Sequence, residues 1–366
     1  MKNHLENLTI HNFRGLRNLK LPGLGQINLL VGPNNSGKTS VLEAISVFCQ
    51  PLNSSEWIET ATRREIKKTN LLNAFKWLFP HAENQENDLY EGKISISGQG
   101  AFSLSELHAH YQELIAKDIP IEIPQDDSYN TQDALKTAQL NFRAVFGRDD
   151  NKQEIKRNFQ FGYMEQGSAI TGIQQKENPQ LPVTTVNSFT HLLEKELIKK
   201  YTQAILSGKE TYTVKIIKQL DPDINGVIIL SKEGAHPSLY IRHNKSGMLP
   251  LSSFGDGLRR ILTIALHLSS VPKGILLIDE IELAVHKSAL AAFFKKLITG
   301  CSENDIQLFA TTHSLEAVDA FLSAASDNQE QVVAYHLPVS DSGNKVKRYS
   351  GDLLHRVRYN RGMDVR

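Results

Sequence analysis

The sequence predicts an α/β fold with a mainly parallel core sheet, an antiparallel β subdomain and a helical region. The parallel core is predicted by residues 26–31, a nearly all-apolar run before a glycine-rich loop, and by two later apolar runs at 275–278 and 307–310. Strands buried on both faces of a sheet give such continuous runs. The antiparallel subdomain is predicted from three segments in which polar and apolar residues alternate, as in half-exposed strands. These segments are residues 93–97, 138–146 and 158–163.

The composition is that of a globular protein with a sizeable core. Its 366 residues, 40% hydrophobic and 22% charged, suit either one large domain with an insertion or two domains. The net charge of +1 creates no overall field toward nucleic acid or membrane, so such a contact needs a local patch. No apolar run approaches the ~18 residues of a membrane span, and Cys49 and Cys301 give no disulfide framework or zinc spacing. We therefore expect a cytoplasmic protein without membrane contact.

Local patterns order the remaining elements along the chain. Residues 8–13 read as a strand, residues 14–15 as a turn and residues 16–21 as a returning strand. Later elements are a helix after the glycine-rich loop, a helical region at 188–220, and a hairpin at 227–230 and 239–242. We divide the chain into four segments: 1–50, the N-terminal hairpin with the loop; 51–187, the antiparallel subdomain and polar insertions; 188–325, the helical region and the second half of the core; and 326–366, a basic C-terminal segment.

The stretch GPNNSGKTS, residues 32–40, fits the phosphate-binding loop pattern Gly-x4-Gly-Lys-Thr, and it lies between a predicted strand and a predicted helix. Glycines let consecutive backbone N–H groups face phosphate, and the helix N-terminus adds its dipole. Lys38 is expected to reach the β- and γ-phosphates, and Thr39 to bind Mg²⁺. A chance glycine turn is the alternative, and the strand–loop–helix order argues against it. The residues predicted to hold the nucleotide are Gly32, Asn34, Asn35, Ser36, Gly37, Lys38, Thr39 and Ser40.

Two later apolar strands also end in polar residues. GILLIDE at 274–280 places Asp279 and Glu280 at a strand end, as in a Walker B motif, where Asp279 would hold Mg²⁺ and Glu280 would orient or deprotonate the attacking water. Two adjacent acids favour ATP hydrolysis over GTPase chemistry. LFATTHS at 308–314 places His313 at the end of the next strand, beside the nucleotide, where it would sense the γ-phosphate. The predicted catalytic residues are Lys38, Glu280 and His313.

A second potential anion site precedes the Walker B strand. In LSSFGDGLRRILTIA, residues 251–265, Ser253-x-Gly255-x-Gly257 opens an amphipathic helix. The phosphate loop already serves the one γ-phosphate of a bound ATP, so a second phosphate-binding helix start is explained if Ser253 and Gly255 contact ATP held by another subunit. An ordinary helix cap is the alternative for this segment alone.

The order GPNNSGKTS, LSSFGDGLRR, ILLIDEIE, ATTHS resembles the ATP-binding-cassette (ABC) ATPases of the SMC/RecF and OLD group, and within it small stand-alone AAA-family ATPases close to the OLD-type head. The N-terminal LTIHNFRGLRNLKL adds to the likeness, which covers residues 5–50 and 210–320 well and the middle in outline. The resemblance implies an ABC-type P-loop NTPase head with ATP and Mg²⁺ as cofactors. It gives Ser253 and Gly255 the role of a signature acting in trans, and His313 that of the switch histidine.

Some positions depart from the transporter pattern or stay open. Glu282 stands where transporters often have Thr, and His286 lies near their D-loop Asp, so DEIExxxH is closer to the OLD-like pattern. The glutamine of a Q-loop is not assigned. Its candidates are Gln99, Gln139 and Gln160.

The resemblance also bears on partners. OLD-type proteins usually carry a TOPRIM nuclease, but only about fifty residues follow His313, and we interpret Asp221-Pro222-Asp223 as a turn. We therefore expect a separately encoded effector, with a TOPRIM nuclease as one candidate, in antiphage defence or DNA repair. Residues 344–366 hold seven Lys or Arg against two Asp, which suits a solvated end, docking to an acidic partner, or DNA contact.

Three functions from different classes fit these observations. The first is an ATP-gated dimer or higher oligomer that hydrolyses ATP and controls a DNA-directed partner. The second is a non-hydrolysing scaffold that needs ATP to assemble. The third is a P-loop kinase or small-molecule enzyme, against which the signature helix argues. The sequence favours the first.

Overall fold

The computed structural model describes residues 3–64, 71–80, 89–115, 136–147, 151–162, 180–218, 220–231, 236–339 and 346–365. The chain forms two compact units, each described here by itself. The first unit comprises Met1–Glu6, Leu21–Leu42 and Leu181–Arg366, and the second comprises Asn7–Lys20 and Glu43–Gln180. The division into four segments from the sequence stays a prediction.

The elements follow in chain order. The strands are β1 (Asn7–Phe13), β2 (Leu16–Leu21), β3 (Ile27–Val31), β4 (Glu91–Gln99), β5 (Leu104–Ile115), β6 (Lys136–Phe146), β7 (Gln153–Gly162), β8 (Val183–Val186), β9 (Ile224–Leu230), β10 (Ser238–His243), β11 (Gly247–Pro250), β12 (Ile275–Ile278), β13 (Gln307–Thr312), β14 (Val332–His336) and β15 (Lys347–Ser350). The helices are α1 (Lys38–Cys49), α2 (Ser54–Thr62), α3 (Leu71–Leu78), α4 (Glu194–Leu206), α5 (Glu210–Ile217), α6 (Asp256–Ser270), α7 (Lys287–Glu303), α8 (Leu315–Ala324) and α9 (Gly351–His355).

The first unit contains the parallel core sheet, which confirms the predicted α/β fold. Its strand order is β15-β14-β3-β13-β12-β8. All neighbours run parallel except β14 and β15. Every residue of β3, β12 and β13 is buried, as expected for strands covered on both faces. The register pairs Ile278 with Ala310 and Val186, and Ala310 with Leu29, so these strands end at one edge of the sheet.

Helix α6 supplies much of the apolar packing of the first unit. Its buried residues include Ile261, Leu262, Ile264 and Leu268, which recur at helical spacing. The region predicted as helical at 188–220 contains α4 and α5, and α4 begins later because residues 190–192 form a 3₁₀ turn. Residue 219 lies outside the described residues. The predicted pairing of 227–230 with 239–242 is found between β9 and β10, with β11 as a third strand.

The second unit contains a six-stranded antiparallel sheet in the order β2-β1-β4-β5-β6-β7. Alternate residues, such as Ile94, Leu107 and Phe142, are buried on one face, and the ring of Trp57 from α2 lies 4.8 Å from that of Phe142. The alternation predicted at 93–97, 138–146 and 158–163 corresponds to β4, β6 and β7, although residue 163 lies outside the described residues.

The N-terminal hairpin turns at Arg14, whose φ is 47°. The Arg14 guanidinium lies 2.7 Å from the carboxylate of Glu43, which is buried in α1, and Arg64 lies 2.6 Å from the same carboxylate. A buried carboxylate held by two guanidiniums keeps its charge satisfied. The Arg of the Asn-Phe-Arg hairpin therefore has a structural contact in this unit.

Gly274 is the point at which β12 starts against β8, and it accounts for one stability prediction. A Cβ atom there would meet the carbonyl oxygen of Pro182 and lie 2.8 Å from Val271 Cγ2. We expect Gly274→Ala to destabilise the protein by about 2 kcal/mol, since backbone and packed side chains cannot move aside freely. Gly226→Ala is the matched control, because its nearest neighbour would be Arg242 Cβ at 3.8 Å. Thermal unfolding of the two variants tests this, and equal melting temperatures would contradict it.

None of the helices in the described part of the chain combines the length and the apolar character needed to cross a membrane. Cys49 and Cys301 are both buried free thiols.

Candidate functional site

The candidate site lies where β3, β13, β12 and β8 end, at the carboxyl edge of the core sheet. Residues 32–37 follow β3, Asp279 and Glu280 follow β12, His313 follows β13, and residues 187–189 follow β8. Ligand sites in parallel sheets form at this edge, because the loops there are free to carry polar groups. The site is therefore assembled from segments that are far apart in sequence.

The loop between β3 and α1 has a backbone that requires glycine. Gly32 and Gly37 have φ angles of 149° and 87°, a region open mainly to glycine, and Asn35 adopts 64°. A side chain at Gly32 would also meet the carbonyl oxygen of Leu337 and lie 2.9 Å from Ser36 Oγ. These conformations explain the two glycine positions of the sequence pattern.

Ser36 has a buried hydroxyl that finds no hydrogen-bond partner among the described residues. Buried polar atoms are nearly always paired, so an orphan calls for an explanation. A phosphate oxygen held by the loop is such a partner, and the arrangement therefore fits a bound nucleotide phosphate. Ser40, also predicted as a nucleotide contact, is buried in the first turn of α1, and Asn34 is exposed.

The side chain of Lys38 lies along the loop. Its Nζ donates hydrogen bonds to the carbonyl oxygens of Gly32 at 2.7 Å and Pro33 at 2.8 Å. Burial lowers the pKa of this ammonium, and the nearby carboxylates, with Asp279 the largest contributor, act in the opposite direction. A partly desolvated ammonium at the loop interacts more strongly with phosphate than one in bulk water does.

Two hydroxyls converge on the Asp279 carboxylate. Thr39 Oγ1 donates to its two oxygens at 3.0 and 3.2 Å, and Thr311 Oγ1 donates at 2.6 Å. A hydroxyl and a carboxylate at this separation are oxygen ligands of the kind that Mg²⁺ takes together with substrate phosphates. Thr39 and Asp279 therefore fit the metal role predicted for them.

Glu280 is held at both its backbone and its side chain. Its φ is 50°, an uncommon angle for a non-glycine residue, and its N–H donates to Thr311 Oγ1 at 2.8 Å. Ser188 Oγ donates to Glu280 Oε2, also at 2.8 Å. Strained backbone that its surroundings hold in place is common at functional sites. The carboxylate is thus fixed in position next to Asp279.

His313 is held by Glu282 at the same edge of the sheet. Glu282 Oε1 accepts the backbone N–H of His313 at 3.2 Å and lies 3.3 Å from its Nδ1, while the imidazole stays 52% exposed. The second oxygen of Glu282 is buried and unpaired within the described ranges. Glu282 therefore orients a histidine that is accessible to a ligand. His286 has a different role, because its side chain accepts the N–H of Ser288 and caps α7.

The predicted signature residues stand at the start of α6. Ser253 ends the 3₁₀ turn Leu251–Ser253, and Gly255 is the N-cap of the helix. Both are exposed, and a Cβ at Gly255 would meet nothing within 4 Å. Gly257 differs, because a Cβ there would come within 2.6 Å of the Ala284 carbonyl oxygen. Ser253 and Gly255 are therefore accessible to an external ligand.

Three contributors to the site were missed from sequence. They are Ser188, Thr311 and Arg260. Thr311 lies inside the ATTHS motif, so its position at a strand end was a usable signal. Ser188 and Arg260 offered none, since their contacts join residues many positions apart.

Two open assignments are clarified by position. Gln99, Gln139 and Gln160 belong to β4, β6 and β7 of the second unit, so the Q-loop assignment stays open. The Asp221–Asp223 segment is a turn, since the Asp223 N–H donates to Asp221 Oδ1 at 3.0 Å.

Comparison with known proteins gives a family and several relatives. Residues 1–318 match the family model described as "AAA ATPase domain". The chain is 22% identical over 343 residues to an "ATP/GTP phosphatase" of Helicobacter pylori, covering 86% of each chain. It is 25% identical over 370 residues to the "DNA replication and repair protein RecF" of Rickettsia canadensis, covering 89% of this chain and 99% of the relative. An SMC head bound to the C-winged helix domain of ScpA is similar over 98% of this chain and 99% of the other, at 13% identity and a TM-score of 0.47.

Proposed function

The chain belongs to the AAA ATPase domain family and is an ABC-type ATPase of the SMC/RecF group, and on that basis we propose how it works. ATP binds with Mg²⁺ at the phosphate loop, and a second copy of the chain contacts that ATP through its own Ser253 and Gly255. Hydrolysis then releases the assembly. This cycle controls a separately encoded effector that acts on DNA.

The observation that carries the hydrolysis proposal is the fixed Glu280 carboxylate beside the Thr39–Asp279 pair. Lys38 binds the β- and γ-phosphates, and Thr39 and Asp279 hold Mg²⁺. When bound, the metal neutralises charge that develops on the phosphate oxygens. Glu280 orients the attacking water and takes its proton at the carboxylate. His313, oriented by Glu282, donates a hydrogen bond to the γ-phosphate.

The proposal of assembly rests on the exposure of the signature. Ser253 and Gly255 stand at the N-terminus of a fifteen-residue helix, where backbone N–H groups and the helix dipole favour an anion. The chain has its own phosphate loop for its own ATP, so a γ-phosphate of another chain is the ligand that this second anion site would take. A symmetric pair would then use each signature on the other chain's nucleotide.

The effector is the part of the proposal that rests on resemblance. The RecF relative is named for DNA replication and repair, and the OLD-like motif pattern suggests a partner such as a TOPRIM nuclease, in antiphage defence or repair. The C-terminal basic residues offer less free charge than their number implies. Arg358 pairs with Asp319 through two bonds of 2.8 Å, and Arg348 donates to the Gly23 carbonyl. We therefore propose that DNA is contacted mainly through the partner, in the cytoplasm.

Light scattering with and without ATP and Mg²⁺ tests the assembly. In a Glu280→Gln background, ATP is expected to increase the mass, and Ser253→Arg is expected to abolish that increase, because a bulky cation at the signature blocks contact with the other chain's ATP. Ser246→Arg is the matched control, since it places the same side chain on an exposed turn of the same unit. A mass increase that survives Ser253→Arg would contradict the role of the signature. Normal assembly of wild-type protein without measurable turnover would favour the ATP-dependent scaffold.

A further inference from the structure

The signature helix α6 is physically connected to the catalytic carboxylate of its own chain. Arg260 of α6 contacts the segments that follow β8 and β12, and Ser188 in the first of these segments holds Glu280. We propose that Arg260 and Ser188 are positioning residues that make the placement of Glu280 depend on what the signature of the same chain contacts. This inference rests on the proposed assembly.

Arg260 is completely buried, which is unusual for an arginine. Its guanidinium donates to the carbonyl oxygen of Asn187, to that of Asp279 at 2.6 Å and to that of Glu280 at 3.3 Å. Its Nε finds no partner within the described residues. Taking a guanidinium out of water is costly unless its donors are used. The use of three backbone carbonyls from two different loops indicates a joint that holds both loops to α6.

Charge supports the same placement. Burial lowers the pKa of Arg260 to about 10, and the carboxylates of Asp279, Glu280 and Glu282 oppose this shift. The side chain is therefore cationic at neutral pH, behind the acidic strand end. Its neighbour Arg259 differs, since it is partly exposed and donates to the carbonyls of Leu251 and Ser252 in the signature turn. Two successive arginines thus face the two ends of the connection, one toward the signature and one toward the Walker B loop.

Ser188 completes the path to the carboxylate. It follows Asn187, whose carbonyl Arg260 contacts, and its hydroxyl donates to Glu280 Oε2 at 2.8 Å. A shift of α6 would move Asn187 through Arg260, and the hydroxyl of Ser188 would move with it. The path has few parts: one guanidinium, one peptide unit and one hydroxyl.

The start of the path is close to the signature. Arg260 lies five residues after Gly255, or ~7.5 Å along the helix at 1.5 Å per residue. A γ-phosphate bound by the signature would therefore pull on a rigid element whose next turns bear on both loops. In an assembled pair, the ATP of one chain would help to place the catalytic glutamate of the other. The two hydrolysis sites would in this way be coupled.

The path can be tested by kinetics under conditions where assembly is complete. Ser188→Ala is expected to lower kcat about tenfold, since a hydrogen bond to a charged group is lost, with KM for ATP and the assembled mass unchanged. Ser188→Thr keeps a hydroxyl and is expected to restore most of the rate. Ser270→Ala, at the far end of α6, where its hydroxyl donates to His267 O, is the matched control and is expected to turn over as wild type does.

A double-mutant cycle separates a shared path from two independent defects. Arg260→Lys keeps the charge but cannot reach all three carbonyls, and it is expected to lower kcat to a similar extent. If the path is shared, the Ser188→Ala, Arg260→Lys protein falls to within about twofold of the slower single variant. Multiplying defects would overturn the proposal, as would an unchanged kcat in Ser188→Ala or a failure of Ser188→Thr to rescue.

Amide hydrogen exchange on nucleotide-free protein gives a readout independent of activity. Arg260→Lys is expected to speed exchange in peptides covering 186–193 and 279–285, because both loops lose a fixed partner. Residues 307–312 of β13, which Arg260 does not contact, are expected to exchange at the wild-type rate. Faster exchange throughout the first unit would mean that Arg260 serves general stability and would contradict a specific joint. Loss of the ATP-induced mass increase would instead count against the proposed assembly, so the two failures are distinguishable.

Discussion

Glu280→Gln is expected to lower kcat for ATP by about 10²–10⁴-fold, which is the usual contribution of a general base. The amide has nearly the same shape as the carboxylate but cannot take a proton from water. Ser188 and Thr311 hold the position through contacts that glutamine also allows. ATP affinity is therefore expected to stay within about threefold of wild type, and the ATP-bound assembly is expected to accumulate.

Steady-state turnover and a nucleotide-binding titration measure the two quantities separately. Glu303→Gln is the control, since this carboxylate is at the C-terminal end of α7, away from the edge that carries the phosphate loop. Wild-type turnover in Glu280→Gln would rule out the assigned base. A matching loss of ATP binding would show that the carboxylate supports the site rather than the reaction.

Lys38→Ala is expected to weaken ATP binding about 10- to 100-fold, because charge-assisted hydrogen bonds to phosphate are lost. The lysine already lies along the loop, bonded to the carbonyls of Gly32 and Pro33, so little rearrangement is needed for it to meet phosphate. A fluorescent ATP analogue gives the dissociation constant directly. Turnover is expected to fall below detection at ATP concentrations that saturate the wild type.

Removal of an exposed lysine controls for the general loss of charge. Lys296→Ala on α7 removes the same group from an exposed position and is expected to bind ATP as wild type does. Equal affinities of Lys38→Ala and wild type would exclude the loop as the phosphate site. Thermal unfolding of Lys38→Ala shows whether the variant is folded, since the change also frees two loop carbonyls.

The parts of the site that sequence predicted are those that local pattern encodes. The loop at 32–37 is readable because its positive φ angles require Gly32 and Gly37, and Asp279 is readable because it ends an apolar run. Strands β3, β12 and β13 are buried on both faces, and their apolar runs leave little alternative. The hairpin β1–β2 follows from simple alternation in the same way.

The parts that sequence did not predict depend on contacts between distant residues. Ser188 meets Glu280 across 92 positions, and nothing near Ser188 in the sequence shows this. Arg260 follows another arginine on an amphipathic helix, so the pattern does not show which of the two is buried. Strand β5 was also missed, since LSELHAHYQELI alternates but carries two histidines and two glutamates that suggest a polar connection. Tertiary packing decides such positions, and local preference does not.

The scaffold alternative requires only that ATP bind and hold chains together. It gives no reason for the hydrogen bonds that fix Glu280 at its backbone and its carboxylate. A hydrolytic cycle does, because a general base must keep one position relative to the attacking water. The geometry therefore favours turnover over passive binding.

A complementation assay tests the central claim, that each active site is completed by the signature of another chain. Ser253→Arg protein keeps its own phosphate loop and Glu280, whereas Glu280→Gln protein keeps its signature, and each alone is expected to be nearly inactive. In a mixed pair, the ATP of the Ser253→Arg chain meets an intact signature, so an equimolar mixture is expected to recover about one quarter of wild-type turnover per chain if pairs form at random. A mixture no more active than the sum of its two components would contradict the account.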